Sequence, residues 1–97
     1  MPQIVTQDPD TRGIPISVDW RDWQTREGDT VAAADWVYDD DYDLVPDPDF
    51  LPSLQSGIAS ICLRGGTPKR RYAYTCRITT VSGAVDDRTM YIKIQER

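Results

Sequence analysis

Asp19 and Asp22, three apart in VDWRDW, and Asp35 further along are the side chains whose type and spacing come nearest to catalysis. Two carboxyls flanking a glycosidic bond can hydrolyse it, one as acid and the other as base or nucleophile. That division of labour requires an apolar pocket to keep one carboxyl protonated. A 97-residue chain with 39% hydrophobic residues builds one lean core, and no segment suggests such a pocket. The chain has no histidine, which excludes imidazole acid–base catalysis and histidine-based triads. No nucleophile elbow, Walker-type phosphate loop or Cys/His ligand cluster is present. Gly65-Gly66-Thr67 precedes no helical pattern, so it does not read as a phosphate cradle. Asp39, Asp40, Asp41 and Asp43, with Asp47 and Asp49, concentrate the oxygen ligands that calcium takes. They lack the spacing and closing glutamate of an EF-hand loop, so a solvated acidic loop is expected. The reading is of a protein without catalytic activity, cofactor or metal.

The charge is segregated along the chain. No Lys or Arg stands between Glu27 and Arg64, and no Asp or Glu between Asp49 and Asp86. The second stretch holds Arg64, Lys69, Arg70, Arg71 and Arg77. The formal net charge of -5 opposes approach to a phosphate backbone, which argues against nucleic acid as a partner. No run of apolar residues is long enough to span a membrane. The first residues lack the basic and apolar segments of a signal peptide, so a cytosolic product is expected. In that compartment Cys62 and Cys76, outside any CxxC pair, read as buried thiols.

Strands must carry these residues. Ile14, Ile16, Val18 and Trp20 alternate onto one face, with Pro15 restricting the segment to an edge strand or a strand start. RDWQTREGD reads as a polar connection ending in a Gly28-Asp29 turn. TVAAADWVY, to Tyr38, is the next strand, its alanines flanked by β-branched and aromatic residues. Pro46, Pro48 and Pro52 divide DDDYDLVPDPDFLPS and leave at most a short strand from Tyr42 to Val45. GIASICL, over 57–63, has strand length between glycines. RYAYTCRITT has the clearest alternation, Tyr72, Tyr74, Cys76 and Ile78 facing one way and Ala73, Thr75, Arg77 and Thr79 the other. After the Ser82-Gly83 turn, Met90, Ile92 and Ile94 point inward. Six to seven short strands and no convincing helix predict a single all-β antiparallel sandwich over residues 13–97. An extended N-terminal arm over residues 1–12 precedes it, ordered only if something holds it.

LRGGTPKRRYAYTCRITTVSGAVDDRTMYIKI resembles the last three strands of immunoglobulin-like and fibronectin III-like domains. That resemblance implies an immunoglobulin-like sandwich with a tyrosine corner, whose hydroxyl satisfies a backbone group at the end of the sheet. Tyr72 and Tyr74 both fit the spacing, and the loop length favours Tyr72. From Asp8 to about Ile94 the order of the Asp-Pro-Asp arm, DWRDW, GDTV, Trp36, LRGGT, TTVSG and DDRTMYIKI is similar to a family of small virion proteins of tailed bacteriophages, described as fibre-tail adaptors. The acidic, proline-rich segment 39–52 and Cys62, where a larger apolar residue is expected, depart from the family pattern. The resemblance implies a non-enzymatic virion structural protein that joins tail or head-completion components to fibre components. Its partners would be other virion proteins (tail, portal or adaptor, fibre or capsid), with several copies per particle or a ring. Its place would be the virion, and the host cytoplasm during assembly. A capsid decoration module and a carbohydrate-binding domain with Trp23 as stacking platform are the alternatives.

Within such a scaffold Trp20 closes the first strand, Trp36 is the central core aromatic, and Trp23 is an interface anchor. Asp19 and Asp22 accept backbone N–H groups as the chain leaves the strand. Immunoglobulin order would set the acidic Asp39, Asp40, Asp41 and Asp43 at one end and the basic Lys69, Arg70 and Arg71 at the other. Those opposite poles are expected to grip neighbouring copies or two different proteins.

Overall fold

The computed structural model describes residues 3–95, which form eight strands and one short helix in two sheets around a shared core. In chain order these are β1 (Gln3–Gln7), β2 (Pro15–Asp19), α1 (Arg21–Glu27), β3 (Val31–Val37), β4 (Leu44–Pro46), β5 (Ser53–Gln55), β6 (Ile58–Gly65), β7 (Arg71–Thr80) and β8 (Val85–Ile94). One sheet has the order β1-β8-β7-β3, and the other β2-β6-β4 with β5 also on β6. All pairings are antiparallel except β1 with β8. Residues 3–7 of the segment read as an arm are thus the edge strand β1, and Met1 and Pro2 lie outside the described residues.

The alternation read in RYAYTCRITT is the inside–outside pattern of β7. Tyr72, Tyr74, Cys76 and Ile78 are fully buried, while Arg71 and Arg77 are exposed. Met90, Ile92 and Ile94 of β8 extend the same inner face, and Ile16, Val18, Leu44, Ala59, Ile61 and Leu63 supply the second sheet's share. Each such large side chain withdrawn from water stabilises the fold by about 1.5–3 kcal/mol. Gln7 is buried where the chain crosses between sheets, its side-chain amide donating to the Leu63 carbonyl at 3.1 Å.

Three expectations are corrected. The connection RDWQTREGD contains the helix α1, because Trp20, Trp23 and Gln24 have the spacing that puts side chains on one helical face. Gly28 ends it in the left-handed region (φ 63°), where glycine carries no Cβ penalty. Trp36 is half-buried rather than central, since β3 is the edge of its sheet, and Trp20 holds the central place at 0% exposure.

The third correction removes the opposite poles. β4 and β5 both run antiparallel to β6 and share one of its edges, acting as a single interrupted strand. Pro46 is tolerated there because an edge position leaves one side of the backbone unpaired. The chain goes out along β4 and β5 and returns along β6. The acidic loop after β3 and the basic loop after β6 therefore lie side by side at one end.

Candidate docking surfaces

The end that carries α1 is assembled from motifs far apart in the chain. Trp23 stands edge-on to Trp20, ring centroids 5.7 Å apart and planes at 90°. The Arg88 guanidinium lies 4.5 Å over the Trp20 ring and donates to the Asp19 carbonyl at 2.9 Å. Trp20's own indole N–H has no aligned acceptor, leaving the Cys76 sulfur as its weak neighbour. Trp23 donates its indole N–H to Asp86 at 2.8 Å. Asp19 accepts the Arg21 amide at 2.9 Å and its guanidinium at 2.7 Å, and these hydrogen bonds hold its pKa down to about 2. Asp29 accepts the Ser82 hydroxyl and the Thr30 amide, which lower its pKa, while the Val81 amide donates to the Thr30 carbonyl at 2.9 Å. DWRDW, GDT, VSG and DDR thus converge on one joint. Trp23, read from the sequence as an anchor or stacking platform, is only 9% exposed in the isolated chain.

The opposite end is organised by Asp43. The Tyr72 hydroxyl accepts the Thr67 amide at 2.8 Å and donates to Asp43, whose second oxygen takes the Thr67 hydroxyl at 2.5 Å. Bonds from Thr67 first and Tyr72 second hold the Asp43 pKa below its usual range. Of the two tyrosines with the corner spacing, Tyr72 is the one whose hydroxyl bonds to backbone five residues upstream. Tyr74 donates instead to the Leu44 carbonyl at 2.6 Å and stacks on Tyr38 at 4.7 Å, and burial pushes its pKa up. Gly65 is left-handed (φ 85°), and a Cβ there would lie 2.7 Å from the Asp43 carbonyl oxygen. Arg70 approaches Asp43 at 3.8 Å with its guanidinium 5.0 Å from the Tyr72 ring. Asp43 and Arg70 are thus tied into the fold. Asp39, Asp40, Asp41, Lys69 and Arg71 are exposed and form no ion pair among the described residues. Among those residues no three acidic or cysteine side chains converge as metal ligands would.

A third surface escaped the sequence reading. Asp47 is 1% exposed, and Arg12 bonds it at 3.0 Å and Asp49 at 2.8 Å, which keeps the Asp47 pKa low. The Asp47 amide donates to the Cys62 carbonyl at 2.9 Å, so the loop between β4 and β5 stays fastened to β6. Phe50 packs on Gly13, and Leu51 projects from the loop tip at 80% exposure. The signal was present in PDFLP, an apolar pair among prolines and aspartates with no periodicity to bury it. Cys62 lies on the outer face of β6 next to Asp47, whereas Cys76 faces the core; both are free, and burial raises both pKa values.

No curated protein matches the chain. A family model described as podophage GP4 fiber-tail adaptor protein gp77 matches residues 7–93, which takes in both motif-built ends and the loop carrying Leu51. The chain belongs to this family of bacteriophage fibre-tail adaptors and is a structural protein of the virion.

Proposed function

We propose that this protein is an immunoglobulin-like adaptor without catalytic activity, assembled in the host cytoplasm, that joins tail or head-completion components to fibre components. The strand orders β2-β6-β4 and β3-β7-β8 follow the B-E-D and C-F-G orders of immunoglobulin domains, and Tyr72 occupies the corner position, which supports the fold reading. One observation carries the functional reading: the tip formed by Phe50 and Leu51, 44% and 80% exposed, on a backbone held by Arg12, Asp47 and two flanking prolines. Solvent-exposed apolar side chains on a fixed backbone lose little conformational freedom when a partner covers them. Such a tip suits an apolar pocket on another virion protein better than a sugar or a nucleic acid.

Leu51→Ser tests it. The substitution lies on the surface and should change stability by no more than about 0.5 kcal/mol. The amount of the chain in purified virions, measured by quantitative mass spectrometry, should fall at least about tenfold, the effect of removing a hot spot of about 1.4 kcal/mol or more. Incorporation at the wild-type level would refute the tip as the contact. Absence of the wild-type chain from virions would refute the adaptor reading as a whole.

A further inference from the structure

β3 is the edge of its sheet, and the hydrogen bonds around it fix which of its backbone groups face outward. On β7 the Thr80 amide donates to the Ala84 carbonyl at 2.8 Å, toward β8. The next amide, Val81, donates to the Thr30 carbonyl at 2.9 Å, on the β3 side. Backbone groups alternate in direction along a strand, so Thr75, Arg77 and Thr79 bond their register partners Val37, Asp35 and Ala33. The amides and carbonyls of Ala34 and Trp36 therefore point away from the sheet and meet no partner among the described residues. The Val31 amide points the same way, but there the Gln24 side chain accepts it at 2.9 Å. Past the bulge that follows Val31, residues 33–37 form an open edge without proline. Elsewhere the edges are blunted. On β2, Pro15 has no amide, and the Ser17 and Asp19 carbonyls take the side chains of Gln3 and Arg88.

The bridge from Gln3 to β2 closes the sandwich on that side, and β3 and β5 flank the other. An open depression lined by Val31, Ala32, Leu54 and Gly57 separates them, and Arg21 at its rim is held by Asp19 at 2.7 Å. Ala34, Trp36 and Leu54 pack against the core there while remaining only partly buried. Both flanking strands lie within residues 28–63, which contain no lysine or arginine. Asp35 is exposed on the outer face of β3. Arg77 stands opposite it in the ladder but pairs with Asp87 at 2.9 Å, so Asp35 has no ion pair among the described residues.

We propose that β3 receives an extended segment of another virion protein as an added strand, with a lysine or arginine opposite Asp35 and apolar residues on either side of it. Main-chain bonds to Ala34 and Trp36 would supply affinity, and the alternating side chains specificity. The apolar neighbours would cover the half-buried Ala34 and Trp36. A second copy of this chain fits poorly. The two-fold register that uses Ala34 and Trp36 of both copies sets Asp35 directly against Asp35, and like charges so placed destabilise a sheet. The inference names a kind of partner within the adaptor reading and rests on that reading for its setting in the particle.

Hydrogen exchange followed by NMR on the free chain tests the edge itself. The Ala34 and Trp36 amides should exchange at least about tenfold faster than those of Asp35 and Val37, which bond β7. Equal protection would overturn the proposal. The probe for the partner is a set of short overlapping synthetic peptides covering the other structural proteins of the particle. Those retained should carry the apolar–basic–apolar pattern. Asp35→Lys should weaken them about tenfold, and replacing the peptide's basic residue by glutamate should restore binding to that variant. Such a rescue cannot arise from misfolding. Ala34→Pro removes only an outward amide and should weaken retention at least about fivefold, with circular dichroism like that of the wild type. Retention of no peptide, indifference to either substitution, or failure of the charge exchange would overturn the added strand. An Ala34→Pro chain that enters virions at the wild-type level would refute this contact and leave the adaptor reading standing. Peptide retention by a chain absent from virions would do the reverse.

Discussion

Tyr72→Phe removes one oxygen, yet that oxygen holds the Thr67 amide and Asp43 together and so ties the loop after β6 to the loop after β3. Loss of such part-buried hydrogen bonds, whose other partners are reached by water, costs about 0.5–1.5 kcal/mol. For a domain of this size each kcal/mol lowers Tm by about 4–8 °C. A thermal melt of the variant should show that drop, and an unchanged Tm would remove Asp43 from its organising role. Tyr72 was singled out beforehand together with Tyr74, because both sit at the right offset within an alternating strand, and the loop length favoured Tyr72. Asp43 was read only as one of a run of carboxylates, since nothing local reveals which of them meets a hydroxyl 29 residues away. Trp23 shows the same limit. Its spacing from Trp20 is that of a helical turn, but the acceptor that draws it inward, Asp86, lies 63 residues on.

The elements read correctly were those whose alternation is long enough to speak for itself, β7 and β8 above all. α1 was missed because seven residues with a single buried side chain give almost no periodic signal, and Trp20 caps it without a side-chain hydrogen bond. β5 was missed, and β4 was read only as at most a short strand from Tyr42 to Val45, because three prolines dominate their segment and each pairs over only three residues. That omission changed the number of chain crossings and moved a whole loop to the wrong end. The close approach of Gly65 to the Asp43 carbonyl gives an element-level prediction. Gly65→Ala places a methyl group against backbone in a left-handed conformation and should destabilise the chain by about 1–3 kcal/mol in urea titrations. Gly83→Ala is the control for conformation alone, since a Cβ there meets nothing within 4 Å. Equal losses at both positions would show that the carbonyl contact adds nothing.

Across the whole molecule, Asp19, Asp29, Asp43 and Asp47 all titrate below the ordinary carboxylate range. Their contribution to stability is complete above an unfolded-state pKa of about 3.9 and is lost as pH falls through the lowered values. Tyr74 and Cys76, raised by burial, act at the other extreme. Theirs is complete below the ordinary thiol and phenol values, about 8.5 and 10, and is lost as pH rises. With no histidine to titrate between, urea midpoints should be flat from pH 5 to 8 and fall steeply below pH 4. A midpoint that drifts across pH 5–7 would contradict this account. One further property follows from the only parallel ladder among the described residues, in which β1 and β8 are joined through five register pairs from Gln3↔Met90 to Gln7↔Ile94. Tension drawn in opposite directions through the chain ahead of β1 and the chain after β8 shears that ladder along its length. All five positions must then yield together, whereas a hairpin pulled from its open end parts one rung at a time. Mechanical load applied to the protein in this way is met in shear, by a ladder that cannot unzip.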